Sequence, residues 1–186
     1  MAASTAFNYV GEYDENEPLP KYLTLEQYRR VIFRPDAHFV DGEIVPRNLG
    51  DTIHGRIIGA LVSALYTPCK SLGFDSCISL RLQSSPTRIR VCDFAVLRAH
   101  KQDAISTSTP LLCIEVLAPY QQPEAELKVL TDYLNMGVPN IWLIDPIRRS
   151  AFTFDAQGLH ESDPTSLKIP NIPIHLDLTE AFATID

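Results

Sequence analysis

The chain has 186 residues, 45% of them apolar and 21% charged, with a formal net charge of −7 at pH 7. That profile suits one globular domain with a full hydrophobic core, and the acidic balance argues against a broad electrostatic footprint for nucleic acid. No apolar run approaches the roughly 20 residues that cross a bilayer, which argues against a membrane-spanning protein.

Residues 1–20 are acidic and polar and read as a loosely ordered arm, leaving residues 21–186 as a single domain. Met1–Phe7 lacks a basic stretch leading into an apolar one, so it does not read as a signal peptide. Thr24, with Gln27 three residues on, predicts a capped short helix through Tyr28 and Arg29. The stretch His38–Val45 has a strand–turn–strand pattern with Asp41-Gly42 as the tight turn. Ile53, Ile57, Ile58, Leu61, Val62 and Leu65 follow helical spacing, Asp51 or Thr52 can cap that helix, and Pro68 is expected to stop it.

Strands are expected over Asp75–Leu82, Arg88–Leu97 and Leu111–Leu117. A helix begins near Pro123, with Glu124 and Glu126 in its first turn and Leu127, Leu130 and Leu134 as its buried stripe, and ends at Gly137. Ile141–Asp145 reads as a strand, and Ala151–Phe154 with Gly158–Glu161 as a hairpin. The order predicts an α/β or borderline α+β fold, a mixed β-sheet flanked by helices. The four cysteines (Cys69, Cys77, Cys92, Cys113) show no zinc spacing. They read as reduced core thiols in a cytoplasmic protein.

Two carboxylates interrupt apolar strands: Asp93 in Val91–Val96 and Glu115 in Leu111–Leu117. A buried carboxylate costs several kcal/mol unless paired, protonated or bound to a cation. If the two strands pair, strand parity lets both point to one side. Oxygen donors at that density suit Mg²⁺ or Mn²⁺, which could activate water and stabilise charge on a phosphate. The alternative is that Asp93 caps a bulge or pairs with Arg90 or Arg98, and that Glu115 pairs with Lys128. Arg81, Arg88, Arg90 and Arg98 form one basic concentration and Arg148-Arg149 another, each open to reading as solvated surface. No Gly-x-Ser-x-Gly, P-loop or Gly-x-Gly-x-x-Gly pattern is present.

Val91-Cys92-Asp93-Phe94-Ala95-Val96, then Leu112–Pro119 with its Glu-Val-Leu core, then Lys128 and Tyr133, then Met136–Pro146 with its Gly-Val-Pro-x-x-Trp-Leu-x-Asp-Pro run, together resemble a large bacterial family of restriction-endonuclease-like proteins. That family lies within the PD-(D/E)xK nuclease superfamily. The upstream Phe39–Val45 and the helix opening at His54 match its N-terminal half, and the resemblance covers roughly residues 22 to 160. It implies a restriction-endonuclease-like core and a metal-dependent DNA endonuclease, with Asp93 and Glu115 as ligands of Mg²⁺ or Mn²⁺. A lysine would polarise the water or phosphate, and cutting both strands would favour a homodimer.

The superfamily's usual lysine position, two residues after Glu115, holds Leu117, and Lys128 on the following helix is the candidate instead. The family lysine commonly stands four residues before the tyrosine, where this chain has Val129. Lys128 is also placed to pair with Glu124 on the helix surface. His38 stands where the family commonly has Glu, and Ala118 where it has Ser. His38, Glu43 and His54 are accessory candidates: a nitrogen ligand, an extra carboxylate, and a phosphate- or metal-orienting group. For the last two, a solvated hairpin residue and a helix cap are the competing readings. The departures leave open a catalytically degenerate binding or regulatory protein.

Overall fold

A computed structural model describes residues 21–31, 33, 36–47, 51–98, 103–118 and 123–185. The expected N-terminal arm, Pro119 and His100 lie outside the described residues. Helix α1 (Leu25–Arg30) opens on the Thr24–Gln27 capping box, in which each side chain bonds the other's backbone N–H. Strands β1 (Ala37–Val40) and β2 (Glu43–Pro46) form the expected hairpin. Its turn carries Asp41 at φ 52° and Gly42 at φ 94°, the left-handed geometry of a two-residue turn.

Helix α2 (Thr52–Ser71) is capped by Asp51 and runs through Pro68 rather than stopping at it. Its buried residues Ile57, Leu61, Leu65 and Cys69 recur every four positions. The stripe thus continues one residue past the proline, and packing outweighs the backbone hydrogen bond that Pro68 removes. Strands β3 (Phe74–Ser85), β4 (Arg88–Arg98) and β5 (Leu112–Val116) precede α3 (Pro123–Met136). Then come β6 (Ile141–Asp145), the hairpin β7 (Ser150–Asp155) and β8 (Gly158–Ser162), the small pair β9 (Leu167–Lys168) and β10 (His175–Leu176), and α4 (Thr179–Ala183).

The main sheet has eight strands, β1 to β8, and is mixed: β5 and β6 run parallel across the α3 crossover, and the other pairs are antiparallel. One apolar cluster packs α2 and α4 on one face, with Phe94, Val96, Ile114 and Trp142. Another packs α3 on the opposite face, with Ala95, Leu97, Cys113 and Leu143. The fold is therefore a mixed sheet flanked by helices, as the element order predicts. All four cysteines are free thiols. No helix among the described residues is long and apolar enough to cross a membrane.

Strand β4 is the branch point. Strand β3 follows one of its edges from Arg88 to Arg98. The opposite edge is divided: β1 takes Arg88 and Ile89, and β5 takes Phe94 to Val96. Residues 90–93 lie between these partners, in a fork where neither strand reaches the β4 backbone.

Candidate active site

Side chains fill the fork where strands do not. At its β1 end, His38 Nδ1 accepts the Val91 N–H at 3.0 Å. At its β5 end, the N–H groups of Cys113 and Leu117 go to β6, so the alternate Val116 N–H faces β4. Asp93 Oδ2 accepts it at 2.9 Å in place of a backbone carbonyl. Continuing the antiparallel register from Phe94↔Ile114 by one step sets Asp93 opposite Glu115.

Asp93 also breaks the regular alternation assumed from the sequence. Arg90 and Cys92 face α3, and so do Ala95 and Leu97, so the facing of the side chains switches between them while the β3–β4 register continues unbroken. Ser79, which stands opposite Asp93 between the pairs Ile78↔Phe94 and Leu80↔Cys92, has φ 49°. A left-handed backbone is uncommon for a serine within a strand, and it lets β3 stay in register with β4 where the facing switches.

The fork opens into a cleft of about 80 Å³ walled by His38 and Arg47 from the hairpin, His54 at the start of α2, Arg90 and Asp93 on β4, Glu115 and Ala118 around β5, and Ala125, Glu126 and Val129 on α3. Asp93 Oδ1 accepts from Arg47 Nη2, and Oδ2 lies 3.1 Å from His54 Nε2. Burial alone would raise the pKa of Asp93, but the His54 hydrogen bond and the Arg47 charge outweigh it and hold the carboxyl below its ordinary range. Asp93 is therefore ionised at neutral pH.

Glu115 behaves oppositely. Burial, then the charge of Asp93, push its carboxyl well above the usual value. Its Oε1 accepts from the Tyr133 hydroxyl at 2.5 Å, and burial keeps that phenol protonated. Glu126 is pushed up to about 7, again by burial first and Asp93 second. His38 is pushed down to about 3, by burial and then by the Arg90 charge, so its ring stays neutral and can accept from Val91. Burial opposes the charge of Arg47, and Asp93 and Glu115 outweigh it and raise its pKa.

Of the sequence candidates, the fork gathers Asp93, Glu115, His38 and His54 around one cleft. Lys128 is exposed on α3 and does not line it. Glu43 is exposed at the start of β2, bridged to Tyr22 and also outside the cleft. The pairings weighed for Asp93 go elsewhere: Arg90 bonds Asp132 at 2.6 Å, and Arg98 lies over the Phe74 ring. Glu115 bonds the Tyr133 hydroxyl rather than Lys128.

Three charged residues that line the cleft, Glu126, Arg47 and Arg90, are not among the candidates. Glu126 is buried, and with Val129, Leu130 and Tyr133 it makes the inward stripe of α3, whereas Leu127 is 39% exposed. The spacing i, i+3, i+4, i+7 from Glu126 carries that signal, but a glutamate in a first turn is equally accounted for by the helix dipole. Arg47, directly after β2, had no sequence signal.

Among the described residues, no three His, Cys, Asp or Glu side chains are grouped to hold a metal ion. Mg²⁺ commonly takes only one or two protein carboxylates, with water and phosphate oxygens completing its shell. Asp93 and Glu115 would suit that smaller donor set: both offer oxygen donors, both line the one cleft, and a cation would relieve the effect of the Asp93 charge on Glu115.

A family model named Uma2, described as "Putative restriction endonuclease", matches residues 22–180. A solved structure from Anabaena variabilis, described as a putative nuclease belonging to DUF820, superposes with a TM-score of 0.69 at 22% identity. The match covers 81% of this chain and 91% of that one. No curated protein matches the sequence.

Proposed function

Because the chain belongs to the Uma2 family, described as putative restriction endonucleases, we propose that it is a divalent-metal-dependent nuclease that hydrolyses phosphodiester bonds in DNA. The supporting observation is the fork cleft, where Asp93, Glu115 and Glu126 converge although burial and mutual repulsion raise the pKa of the last two. Asp93 and Glu115 would hold Mg²⁺ or Mn²⁺. Such an ion supplies Lewis-acid stabilisation of the phosphate and a more acidic water.

The chain's own groups do the positioning. The Val116 N–H and His54 fix the Asp93 carboxylate from two directions. Tyr133 fixes Glu115, and Glu126 on the α3 wall can hold or release a proton near neutral pH. In the reaction, a water oxygen bonds to phosphorus as one ester oxygen leaves, giving a phosphate monoester and a hydroxyl. Lys128, exposed outside the cleft, has no part in this reading. The reading takes residues 21–186 as the working domain in the cytoplasm, paired as a homodimer for cutting both strands.

The test is calorimetric titration with Mn²⁺ and Mg²⁺ alongside cleavage of supercoiled plasmid. Binding and nicking that both disappear in Asp93→Asn are expected; a wild-type chain that binds neither ion sinks the proposal. A second reading, a nuclease fold retained for binding alone, is favoured by the Arg47 guanidinium on Asp93 Oδ1 and by Val129 in the cleft wall. Metal binding without cleavage of any DNA form would select it.

A further inference from the structure

The cleft is short of positive charge. Its walls carry the carboxyl groups of Asp93, Glu115 and Glu126, with Arg47 and Arg90 as the only Lys or Arg side chains among the described residues that line it. A phosphodiester entering such a site brings another negative charge, and its stabilisation requires a cation that can still make bonds.

Arg90 does not meet that need. Its side chain is 5% exposed, and Nε donates to Asp132 on α3 at 2.6 Å. Leu117 and Val129 occupy the two positions where the sequence pattern would place a lysine, and both pack into the apolar cluster beneath α3. Lys128 faces outward.

Arg47 is differently placed. It follows Pro46, the last residue of β2, so its backbone is held by the hairpin paired to β4. Its side chain is 17% exposed, against 5% for Asp93. A guanidinium carries five N–H donors in a planar fork, and the Asp93 bond engages Nη2. The remaining donors leave room for a phosphate oxygen while the Asp93 contact holds the group in place.

The geometry points to Arg47 as the phosphate-contacting cation of this cleft, entering from the β-hairpin rather than from α3. The assignment deepens the nuclease reading and rests on it for the identity of the substrate. Arg47 touches the phosphate and is catalytic in that sense, and Asp93 is its positioning partner as well as a metal ligand.

The test measures fluorescence anisotropy of a labelled short DNA duplex in EDTA, over a range of salt. Wild type, Arg47→Met, Arg47→Lys and Lys128→Met are compared, and thermal melting confirms that each is folded. Arg47→Met is expected to weaken duplex binding about tenfold and to flatten the salt dependence by about one phosphate contact. Arg47→Lys should retain the salt slope and recover part of the affinity, and Lys128→Met should stay within about twofold of wild type. If Arg47→Met does not fold, Arg47→Lys is expected to bind more weakly than wild type, and affinity equal to wild type in that variant would overturn the assignment.

Duplex binding and salt slope unchanged in folded Arg47→Met would overturn the assignment. So would a loss confined to Lys128→Met, or no duplex binding by wild type. Cleavage with Mn²⁺ is scored in the same samples, which separates the two ideas. A wild type that binds through Arg47 but never cuts loses the nuclease reading alone. A wild type that cuts, with Arg47→Met equally active and equally tight, loses the Arg47 assignment alone.

Discussion

Two clusters of charge meet α3, and they are balanced differently. In the first, Asp132 on α3 receives Arg90 at 2.6 Å and Arg88 at 2.9 Å, and Arg88 reaches on to Asp41 in the hairpin turn at 2.7 Å. Two carboxylates face two guanidiniums, which ties α3 to β4 and to the β1–β2 hairpin. In the second, Asp93, Glu115 and Glu126 share the cleft with Arg47, and two of the three carboxyls are pushed up in pKa. The matched cluster is a clamp. In the unmatched one, Glu115 and Glu126 are pushed toward the protonated form, which a bound cation would reverse, and the clamp holds α3 against β4 beside them.

Breaking the clamp should have the largest effect. Removing one member of a buried ion pair costs about 3–5 kcal/mol, so urea unfolding of Arg90→Met at pH 7 should show a loss of that order. Arg90→Met combined with Asp132→Leu should recover most of it, because no buried charge is then left unmatched. A loss below about 1 kcal/mol in the single variant would show that Arg88 alone balances Asp132.

The unmatched cluster is probed by Glu126→Gln. The folded carboxyl titrates at about 7 against an ordinary 4.5, so the folded chain keeps a proton that the unfolded chain loses between those values. The associated stability is fully present below pH 4.5 and gone above about 7, a fall of roughly 3 kcal/mol. Unfolding measured from pH 4.5 to 8 should be flatter in Glu126→Gln than in wild type. An identical slope would remove Glu126 from the repulsive set.

His38 sits between the clusters and should give a smaller change. His38→Ala leaves the Val91 N–H without its acceptor, a cost of about 1–3 kcal/mol. Its titration has the opposite sense to that of Glu126: a ring depressed from 6.5 to about 3 withdraws stability as the pH falls from 6.5 towards 3. Unfolding below pH 6 should therefore be less acid-sensitive in His38→Ala, and equal sensitivity would argue against a buried neutral ring. The smallest effect belongs to Lys128→Met, outside both clusters, which should shift stability by less than about 0.5 kcal/mol in the same assay.

Much of the fold was legible because local rules governed it. The Thr24 capping box, the Asp41-Gly42 turn, the Asp51 cap and the Gly137 stop all stand where residue type alone placed them. Helix α2 and α3 show where local rules give way. Pro68 was read as a terminator, yet the Cys69 contact with the core carries α2 past it. The spacing predicts an α3 stripe of Leu127, Leu130 and Leu134; Leu130 is buried and Leu134 packs on the core, but Leu127 is exposed, and Glu126, Val129 and Tyr133 complete the inner face. A hydrophobicity pattern cannot assign a buried glutamate to the inner face when its stabilising context comes from other strands.

The sequence by itself determined the element order as far as the β7–β8 hairpin, the family, and the two strand carboxylates whose burial called for a cation, but not β9, β10 and α4. Those follow from periodicity, capping chemistry and the desolvation cost of charge, which act within a few residues. The tertiary structure decided the rest of the candidate site: the fork in β4, the switch of side-chain facing at Asp93, and the arrival of Arg47 and Glu126 in place of Lys128. Each depends on which edge of β4 a distant strand occupies. That choice balances pairing, packing and charge over the whole sheet, and no single segment encodes it.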